Sequence, residues 1–368
     1  MFIDAMGLIL ANHNRANLAE LEVPRALAAV PFAGRYRIID FSLSSLVNSG
    51  VKNVGVYANH KYRSLMDHLG TGAYWDLDRM QGGLAILPPF LLSGQREDGG
   101  ELVGLYDFVH DATQEYVVIC ESNLVMNLDF GPYLDRLKES GANIAVLFNN
   151  DGDLAGQPYL ILQLDEQSYI KDLFLNPKVL PSRDSALGIV IVRREFLVQY
   201  LELEIARGHS SFTVEKLLRL FDSEQILGLY CEEVVLRINS VTSYFKSSES
   251  LLNMEVFDRL FNREDRPIYT KVKNEAPTMY FPGNKVNNSL LSDGCVISGE
   301  VNDSILFRGA EVKRGARVDN CIIGQDCIIS EGAELSCVIL DKDTLIRPGV
   351  KLKGQPDYPV VIAKSMIV

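Results

Sequence analysis

Histidine and cysteine are the residue types that most often supply a general base or a metal ligand, and this chain has five of the first and six of the second. The cysteines form no CxxC pair, and no histidine lies near the last four of them, so the sequence does not favour a zinc site. We expect all six to be reduced, packed thiols. They are Cys120, Cys231, Cys295, Cys321, Cys327 and Cys337.

Basic residues could bind phosphate groups, but acidic residues outnumber them. The 368 residues include 36 Lys and Arg and 48 Asp and Glu, which gives a formal net charge of −12 at pH 7 without a basic stripe. This argues against a nucleic-acid partner, so any phosphate would be bound by a few placed arginines. No apolar stretch reaches the ~18–20 residues of a membrane helix, and the first residues do not resemble a signal peptide. We expect a cytoplasmic protein that does not contact a membrane.

The first two-thirds of the chain alternate short apolar runs with segments of helical periodicity. This alternation is typical of βαβ units in an α/β fold, a mostly parallel, doubly wound sheet. Residues 40–50 show the helical pattern, because Asp40 can cap a helix and Gly50 can end it. Ligands of doubly wound sheets bind at the carboxyl ends of the strands, so we expect the functional site there. The predicted strands cover 7–11, 54–57, 116–120 and 144–148, and a second helix covers 132–140.

The pattern changes after residue 261. Residues 262–280 are charged and contain prolines, which is typical of a linker. Aliphatic residues then recur with a period of 17, in steps of 6, 6 and 5, with glycines between them. This is the pattern of a hexapeptide-type left-handed parallel β-helix. We predict an α/β domain over 1–261 and the β-helix over 281–368. The period is visible at 306, 312 and 318, then at 323, 329 and 335, then at 340, 346 and 352.

The predicted β-helix has no evident catalytic base. Hexapeptide β-helices often belong to acyltransferases, whose reaction uses a general base, usually His, at the interface between coils. All five histidines (His13, His60, His68, His110 and His209) precede the β-helix. We therefore expect this domain to be a scaffold and a contact between subunits.

Residues 31–50 identify a family. They read PFAGRYRIIDFSLS over 31–44 and NSG over 48–50. This stretch resembles the P-F-G-G-[KR]-[YF]-R-I-I-D-F-x-L-S and N-S-G motif of the bacterial ADP-glucose pyrophosphorylase (glucose-1-phosphate adenylyltransferase) family. The order and spacing of segments are similar over nearly the whole chain, including the β-helix. The resemblance implies a Rossmann-like nucleotidyltransferase fold for the first domain.

The chain departs from the family where the nucleotide would bind. In the family, the first strand leads into G-G-x-G-x-R-L, whose glycines let backbone N–H groups close on the triphosphate. Here that place contains Asn12, His13 and Asn14 and no glycine, and the family's phosphate-binding lysine is replaced by Leu27. Side chains at 12–14 would crowd the phosphates, and residues other than glycine resist a positive φ.

Both metal-binding aspartates of the family are also replaced. The family uses one Asp in a G-D-H segment and one in a W-x-D-V-G-T segment to hold the Mg²⁺ that neutralises pyrophosphate. The matching positions are Asn123 and Arg237. We therefore expect no cofactor and no catalytic residue. Arg237 would be a structural cation in the former metal site, paired with Asp107 or Asp129.

A chain with these losses is similar to the non-catalytic, regulatory subunit that some bacteria pair with the active enzyme. The resemblance implies a catalytic subunit as partner, in a hetero-tetramer, with a homo-oligomer also open for the chain alone. It also implies that an anionic metabolite, such as a sugar bisphosphate, binds between the domains. Carried over residue by residue, the effector contacts would be Arg25, Arg37 and Ser64. A structural ion pair is the alternative for both arginines.

Two other functions stay open. The chain could be a weakly active adenylyltransferase that makes ADP-glucose and pyrophosphate from ATP and glucose 1-phosphate with unusual residues. It could also be a stand-alone sensor of a sugar phosphate. The joint loss of the phosphate loop, the lysine and both metal ligands favours the regulatory subunit of ADP-glucose synthesis for glycogen. Mg²⁺ and charged contacts supply most of the catalysis in phosphoryl-type transfer.

Overall fold

The computed structural model describes residues 3–11, 17–58, 60–87, 100–150 and 160–368, and its first domain is built on one mixed sheet. The strands of this domain are β1 (Ala5–Leu10), β2 (Pro31–Phe32), β3 (Tyr36–Arg37), β4 (Asn53–Tyr57), β5 (Gly83–Leu87), β6 (Tyr116–Glu121), β7 (Leu124–Met126), β8 (Ile144–Asn149), β9 (Leu160–Leu164), β10 (Ile170–Leu175), β11 (Ser185–Arg193), β12 (Ile226–Tyr230) and β13 (Val235–Arg237). The order across the main sheet is β10-β9-β11-β6-β1-β4-β5, with β8 beside β11 and β12 beside β8.

Parallel pairing joins β6, β1, β4 and β5 in the centre of this sheet, and β8 and β12 at its side. The long strand β11 runs antiparallel to β6 and β8 and makes the sheet mixed. Every residue of β1 is buried, because the sheet is covered on both faces. The short strands β7 and β13 form a separate antiparallel ribbon.

Helices lie on both faces of the sheet, which confirms the predicted doubly wound class. Apolar side chains of α1, α2 and α4 form one core with the sheet, and those of α3, α5 and α6 form the other. The helices of the domain are α1 (Ile38–Asn48), α2 (Arg63–Leu69), α3 (Gly100–His110), α4 (Gly131–Ser140), α5 (Arg194–Ala206), α6 (Val214–Leu218), α7 (Val241–Ser250) and α8 (Met254–Phe261).

Helix α1 begins earlier than the sequence pattern predicted. Asp40 lies in its first turn rather than before it, and one carboxylate oxygen accepts the backbone N–H of Arg37 at 3.0 Å. The other oxygen lies 2.6 Å from Nε2 of His68 on α2. Asp40 therefore satisfies the helix terminus from inside the helix and also ties α1 to α2.

The second domain is the predicted three-sided parallel β-helix. Its strands are β14 (Met279–Tyr280), β15 (Lys285–Asn287), β16 (Leu290–Leu291), β17 (Val296–Ile297), β18 (Glu300–Asn302), β19 (Ile305–Leu306), β20 (Glu311–Val312), β21 (Arg317–Asp319), β22 (Ile322–Ile323), β23 (Ile328–Ile329), β24 (Glu334–Ser336), β25 (Val338–Leu340), β26 (Leu345–Ile346), β27 (Lys351–Lys353) and β28 (Val360–Ile362). Leu306 pairs with Ile323 and Ile323 with Leu340, which confirms the period of 17. The six cysteines of the chain are buried free thiols.

A column of alternating charges runs up one side of the β-helix. Lys285, Glu300, Arg317, Glu334 and Lys351 pair in sequence on neighbouring coils. Lys285 and Glu300 are 3.0 Å apart, and Lys351 and Glu334 are 2.9 Å apart. Shifting a coil against its neighbour would separate these opposite charges, so the column favours one strand register.

An apolar interface joins the two domains. Phe32 and Phe41 of the first domain share a buried cluster with Ile305, Phe307 and Ile339 of the β-helix. The segment between the domains, 262–278, contains no helix or strand. It lies along α1, where Ser44 Oγ accepts the backbone N–H of residue 269 at 2.9 Å. Within the described ranges, no helix is long and apolar enough to cross a membrane.

Candidate functional site

The fold brings together the two positions that the family resemblance assigned to metal binding. Asn123 follows β6 at its carboxyl end, and Arg237 ends β13. The ribbon pairs Arg237 with Leu124, and the backbone N–H of Ile238 donates to the carbonyl of Asn123 at 2.8 Å. Three other predicted site residues, Asn12, His13 and Asn14, lie outside the described part of the chain.

Arg237 is held by β11 rather than by an aspartate. Its guanidinium donates to the carbonyl of Ala186 at 2.9 Å and to Oγ of Ser185 at 2.8 Å. The predicted pairing with Asp107 or Asp129 is therefore wrong, because the ribbon aims the side chain at β11. Burial lowers the pKa of Arg237 to about 10, and the nearby carboxylate of Glu121 partly opposes this.

A backbone irregularity in β11 makes room for this arrangement. The register of β11 against β8 shifts between Ala186 and Val190. Gly188, within the shift, has a φ of +77°, and a Cβ there would lie 2.5 Å from a carboxylate oxygen of Glu121. Glycine at this position therefore lets Glu121 pack beside the strand that receives Arg237.

Asn123 takes part in an amide network instead of presenting a carboxylate. Its Nδ2 donates to Oδ1 of Asn239, and the backbone N–H of Asn239 donates to Oγ of Ser243 at 2.9 Å. Within the described part of the chain, the Oδ1 of Asn123 is buried without a hydrogen-bond partner. The two positions thus offer a neutral amide and a cation, whereas Mg²⁺ is bound by anionic oxygens. Among the described residues, no cluster of three His, Cys, Asp or Glu side chains could hold a metal.

Leu27 is a core residue and not part of a binding surface. It lies in a short 3₁₀ turn, is 2% exposed, and packs in the same apolar cluster as Phe32, Phe41 and Tyr244. A charged lysine at this point would have to leave the cluster or be buried without a partner. In this chain the residue at the position of the family's lysine is therefore part of the apolar cluster between the domains.

A second region, between the two domains, has the character of an anion-binding site. It is a cleft of about 210 Å³, which we call the interdomain cleft. Its lining includes six cations and one carboxylate, so its electrostatic potential is positive. The lining residues are Pro31, Gly34, Arg35, Tyr36, Arg37, Asp67, His68, Lys271, Lys273, Phe307, Arg308, Gln325 and Lys342.

Most of these cations have no counter-ion of their own in the described ranges. Among the described residues, no carboxylate lies within 4 Å of the charged groups of Arg35, Arg37, Lys273, Arg308 or Lys342, whereas ion pairs are frequent elsewhere. Arg308 is 6% exposed, and its buried Nε has no hydrogen-bond partner among the residues that the structure describes. Burial, together with the neighbouring Arg35, lowers the pKa of Arg308. A bound anion would supply the missing partners.

Arg37 and Ser64, two of the predicted effector residues, are joined at this cleft. Nη1 of Arg37 donates to the backbone carbonyl of Ser64 at 2.6 Å and to its Oγ at 3.0 Å. Arg37 lines the cleft, while Ser64 holds Arg37 from outside it. Burial lowers the pKa of Arg37 to about 10, although Asp40 opposes the shift.

Arg25 has a structural role and does not line the cleft. It donates from Nη1 and Nη2 to the two carboxylate oxygens of Asp341 in the β-helix, both at 2.9 Å. The two side chains are 5% and 3% exposed. The structure therefore shows the ion-pair alternative for Arg25, because both terminal nitrogens of its guanidinium are engaged by Asp341, and its contact with an effector stays a prediction.

Nothing in the sequence pattern singled out the remaining cations of the cleft. Lys271 and Lys273 come from the segment between the domains, and Arg308 and Lys342 come from different coils of the β-helix. Only the docking of the domains brings them to Arg37. A signal was nevertheless present, because Arg308, Gln325 and Lys342 are 17 residues apart and therefore occupy the same position on successive coils of the repeat.

The cleft can be tested with sulfate, a dianion that occurs in one charge state above pH 6. We expect sulfate to bind to the full-length chain, and Arg308→Gln to weaken binding at least about tenfold by removing a buried charged donor. Isothermal titration calorimetry measures the affinity. Arg314→Gln, at an exposed arginine of the same domain, is the matched control and should bind as the wild type does. Equal affinity of the two variants would contradict the assignment of the cleft.

Sulfate affinity is also expected to fall with rising pH. Burial and the neighbouring Arg37, Arg25 and Lys273 lower the pKa of Lys342 to about 8, although Asp341 opposes this. A bound anion favours protonated Lys342, whereas the empty cleft releases that proton as the pH rises past 8. Because anion binding is coupled to protonation of Lys342, we expect the sulfate affinity to fall roughly eightfold between pH 7.5 and 9. Lys342→Arg keeps its charge over this range and should lose most of the pH dependence. A pH dependence that persists in this variant would refute the assignment to Lys342.

Comparison with known proteins supplies the family context. Residues 7–226 match the nucleotidyl transferase family, and residues 281–357 match the GlmU-like C-terminal hexapeptide family. The chain is 32% identical to "Glycogen biosynthesis protein GlgD" of Bacillus subtilis and 37% identical to the protein of that name from Geobacillus stearothermophilus, over 98% of this chain and 96% of each relative. It is 31% identical to "Glucose-1-phosphate adenylyltransferase" of Bacillus anthracis, over 93% of this chain and 94% of that protein.

Proposed function

Because the chain belongs to the glucose-1-phosphate adenylyltransferase family, which includes the GlgD proteins, we propose that it is a regulatory, non-catalytic subunit of that enzyme, acting in the cytoplasm in glycogen biosynthesis. The observation that carries this proposal is the contrast between the two regions. At the family's two metal-binding positions this chain has Asn123, whose amide donates to another amide, and Arg237, whose guanidinium donates hydrogen bonds to β11. The interdomain cleft, by contrast, is lined by six cations.

The residues at the carboxyl end of β6 do not fit Mg²⁺, and we propose that the chain binds none there. Pyrophosphate departs readily only when its charge is neutralised, and a hard divalent cation requires carboxylate oxygens for binding. Arg237 would repel such a cation, and Asn123 directs its Nδ2 to another amide. We therefore expect little or no synthesis of ADP-glucose by the chain alone.

Regulation would act through the domain interface and a catalytic partner. A bound anionic metabolite would contact Arg37 of the first domain together with Arg308 and Lys342 of the β-helix, and would thus favour one relative position of the domains. A catalytic subunit that contacts both domains, in a hetero-tetramer, would respond with a changed affinity or rate. The anion and the catalytic subunit would then shift the same equilibrium between domain positions, so that binding of one changes the affinity for the other.

The test is an assay of the pure full-length chain, a catalytic subunit, and their mixture for pyrophosphate release from ATP and glucose 1-phosphate with Mg²⁺. We expect no turnover by the chain alone, co-elution of the two proteins, and a changed kcat or KM in the mixture. Arg308→Gln should co-elute but lose the response to anions. Turnover by the chain alone, at the rate of the catalytic subunit, would refute the proposal. Absence of both co-elution and a kinetic effect would favour the stand-alone anion sensor.

A further inference from the structure

Lys342 is a lysine whose ammonium group is confined among other cations. It follows β25 in the β-helix and lines the interdomain cleft, where Nζ donates to Oε1 of Gln325 at 3.2 Å. The adjacent carboxylate of Asp341 does not serve as its counter-ion, because Arg25 occupies both oxygens and the backbone N–H of Lys342 donates to one of them at 2.8 Å. The amine therefore faces the cleft without an ion pair among the described residues.

This environment gives Lys342 an unusually large neutral fraction. Burial is the main cause that lowers its pKa to about 8, and the charges of Arg37, Arg25 and Lys273 add to it. In the empty cleft about a quarter of such an amine is neutral at pH 7.5, compared with about 0.1% of an ordinary lysine, and a bound phosphate reduces this fraction because it favours the ammonium form. A less basic amine is intrinsically a weaker nucleophile, so the gain in reactivity is smaller than the gain in neutral fraction. It is nevertheless an amine activated by its surroundings.

We propose that Lys342 is a covalent acylation site that acyl phosphates modify, with the phosphate group bound by the cations of the interdomain cleft. The proposal rests on the anion-binding cleft of the proposed function and adds a second chemistry to it. The arginines and lysines that would bind the phosphate of an effector are the same ones that would hold the phosphate of the reagent, next to the Nζ atom. Positioning of this kind converts a slow encounter into a reaction within one complex.

The reaction balances without any further reagent. The lone pair of neutral Nζ attacks the acyl carbon, and a C–N bond forms. The bond between that carbon and the phosphate oxygen breaks, and its electron pair leaves with the phosphate, whose charge Arg37, Lys273 and Arg308 stabilise. The proton that the nitrogen loses passes to the departing phosphate or to water. The products are an amide at Lys342 and inorganic phosphate.

Acylation would alter the regulation of the chain, because an amide carries no charge. The cleft would lose one of its cations and would bind anions more weakly. Lys342→Gln has a similar uncharged polar group and should weaken sulfate binding to a similar degree. The modified chain would still fold, since the Arg25 and Asp341 pair does not involve Nζ.

The experiment uses the full-length chain and acetyl phosphate at pH 7.5, with acetylation of each lysine followed by peptide mass spectrometry. Lys342 is expected to be acetylated about tenfold faster than Lys353 and Lys178, two exposed lysines of the two domains. Saturating sulfate should slow acetylation of Lys342 and leave the two reference sites unchanged. Arg308→Gln, which retains the amine, should also slow Lys342 selectively.

Two results would overturn the inference: acetylation of Lys342 no faster than that of the reference lysines, or acetylation that sulfate does not slow. Sulfate binding to the unmodified chain is measured in parallel by calorimetry, and co-elution with a catalytic subunit by gel filtration. Normal sulfate binding and co-elution with an unreactive Lys342 would refute acylation and leave the proposed function intact. Absence of sulfate binding together with uniform acetylation would refute both the acylation site and the anion-binding cleft.

Discussion

Arg25→Met is expected to lower the free energy of unfolding by about 3–5 kcal/mol, because it leaves a buried carboxylate without its cation. Both side chains of the Arg25 and Asp341 pair are almost fully buried, and the two hydrogen bonds are parallel and 2.9 Å long. The pair also joins the first domain to the β-helix, across 316 residues of sequence. Urea unfolding, followed by circular dichroism, measures the change.

Two further variants test whether the loss of stability comes from breaking this buried pair or from replacing any charged residue. The double variant Arg25→Met with Asp341→Leu removes both charges and should recover most of the lost stability. Lys351→Met breaks an exposed pair with Glu334 in the same domain and should cost less than about 1 kcal/mol. If Arg25→Met were no more destabilising than Lys351→Met, the pair would not hold the domains together.

The position of Arg25 gives this pair a second consequence. Asp341 directly precedes Lys342, which lines the interdomain cleft. Its partner Arg25 belongs to the segment that begins at Asn17. The backbone N–H of Asn17 donates to the carbonyl of Asn239, which lies beside Asn123. The segment from Asn17 to Arg25 thus joins Asp341, beside the cleft, to the carboxyl end of β6.

The fold was largely predictable because its signals are local or periodic. Each coil of the β-helix repeats one inward aliphatic position, so Leu306, Ile323 and Leu340 could be aligned before their pairing was known. The buried strands are visible in the sequence as apolar runs, as in β1 and β6. The helix boundary at Asp40 was less predictable, because a carboxylate can satisfy a helix terminus from before the helix or from within its first turn.

The candidate site was only partly predictable, because its partners are distant in sequence. The family motif led to Arg37, but it did not reveal that Arg25 would be engaged by Asp341. Similarly, aligning Arg237 with a metal ligand predicted a structural cation but not its contacts on β11, which depend on the twist of the ribbon. Motifs locate positions, whereas the direction of each side chain is set by how separate elements pack.

Restoring two carboxylates is expected to restore divalent cation binding. The double variant Asn123→Asp with Arg237→Asp adds two carboxylates at one end of the ribbon, and the one at position 237 replaces the cation beside Glu121. Their mutual repulsion should destabilise the metal-free variant, and Mn²⁺ should reverse this, by about 1.4 kcal/mol at ten times the dissociation constant. The wild type, with an amide and a guanidinium there, should show no stabilisation by Mn²⁺ in the same urea titration.

The single variant Asn123→Asp is the matched control for this experiment. Its carboxylate is added one residue before Leu124, the strand position that pairs with Arg237, and that fixed cation repels a divalent ion. We therefore expect little stabilisation by Mn²⁺ until the arginine is also replaced. Equal stabilisation of the wild type and the double variant would mean that other groups bind the metal and would refute the proposed loss of the Mg²⁺ site. Stabilisation confined to the double variant would show that the charge at position 237, rather than the shape of the fold, excludes the metal.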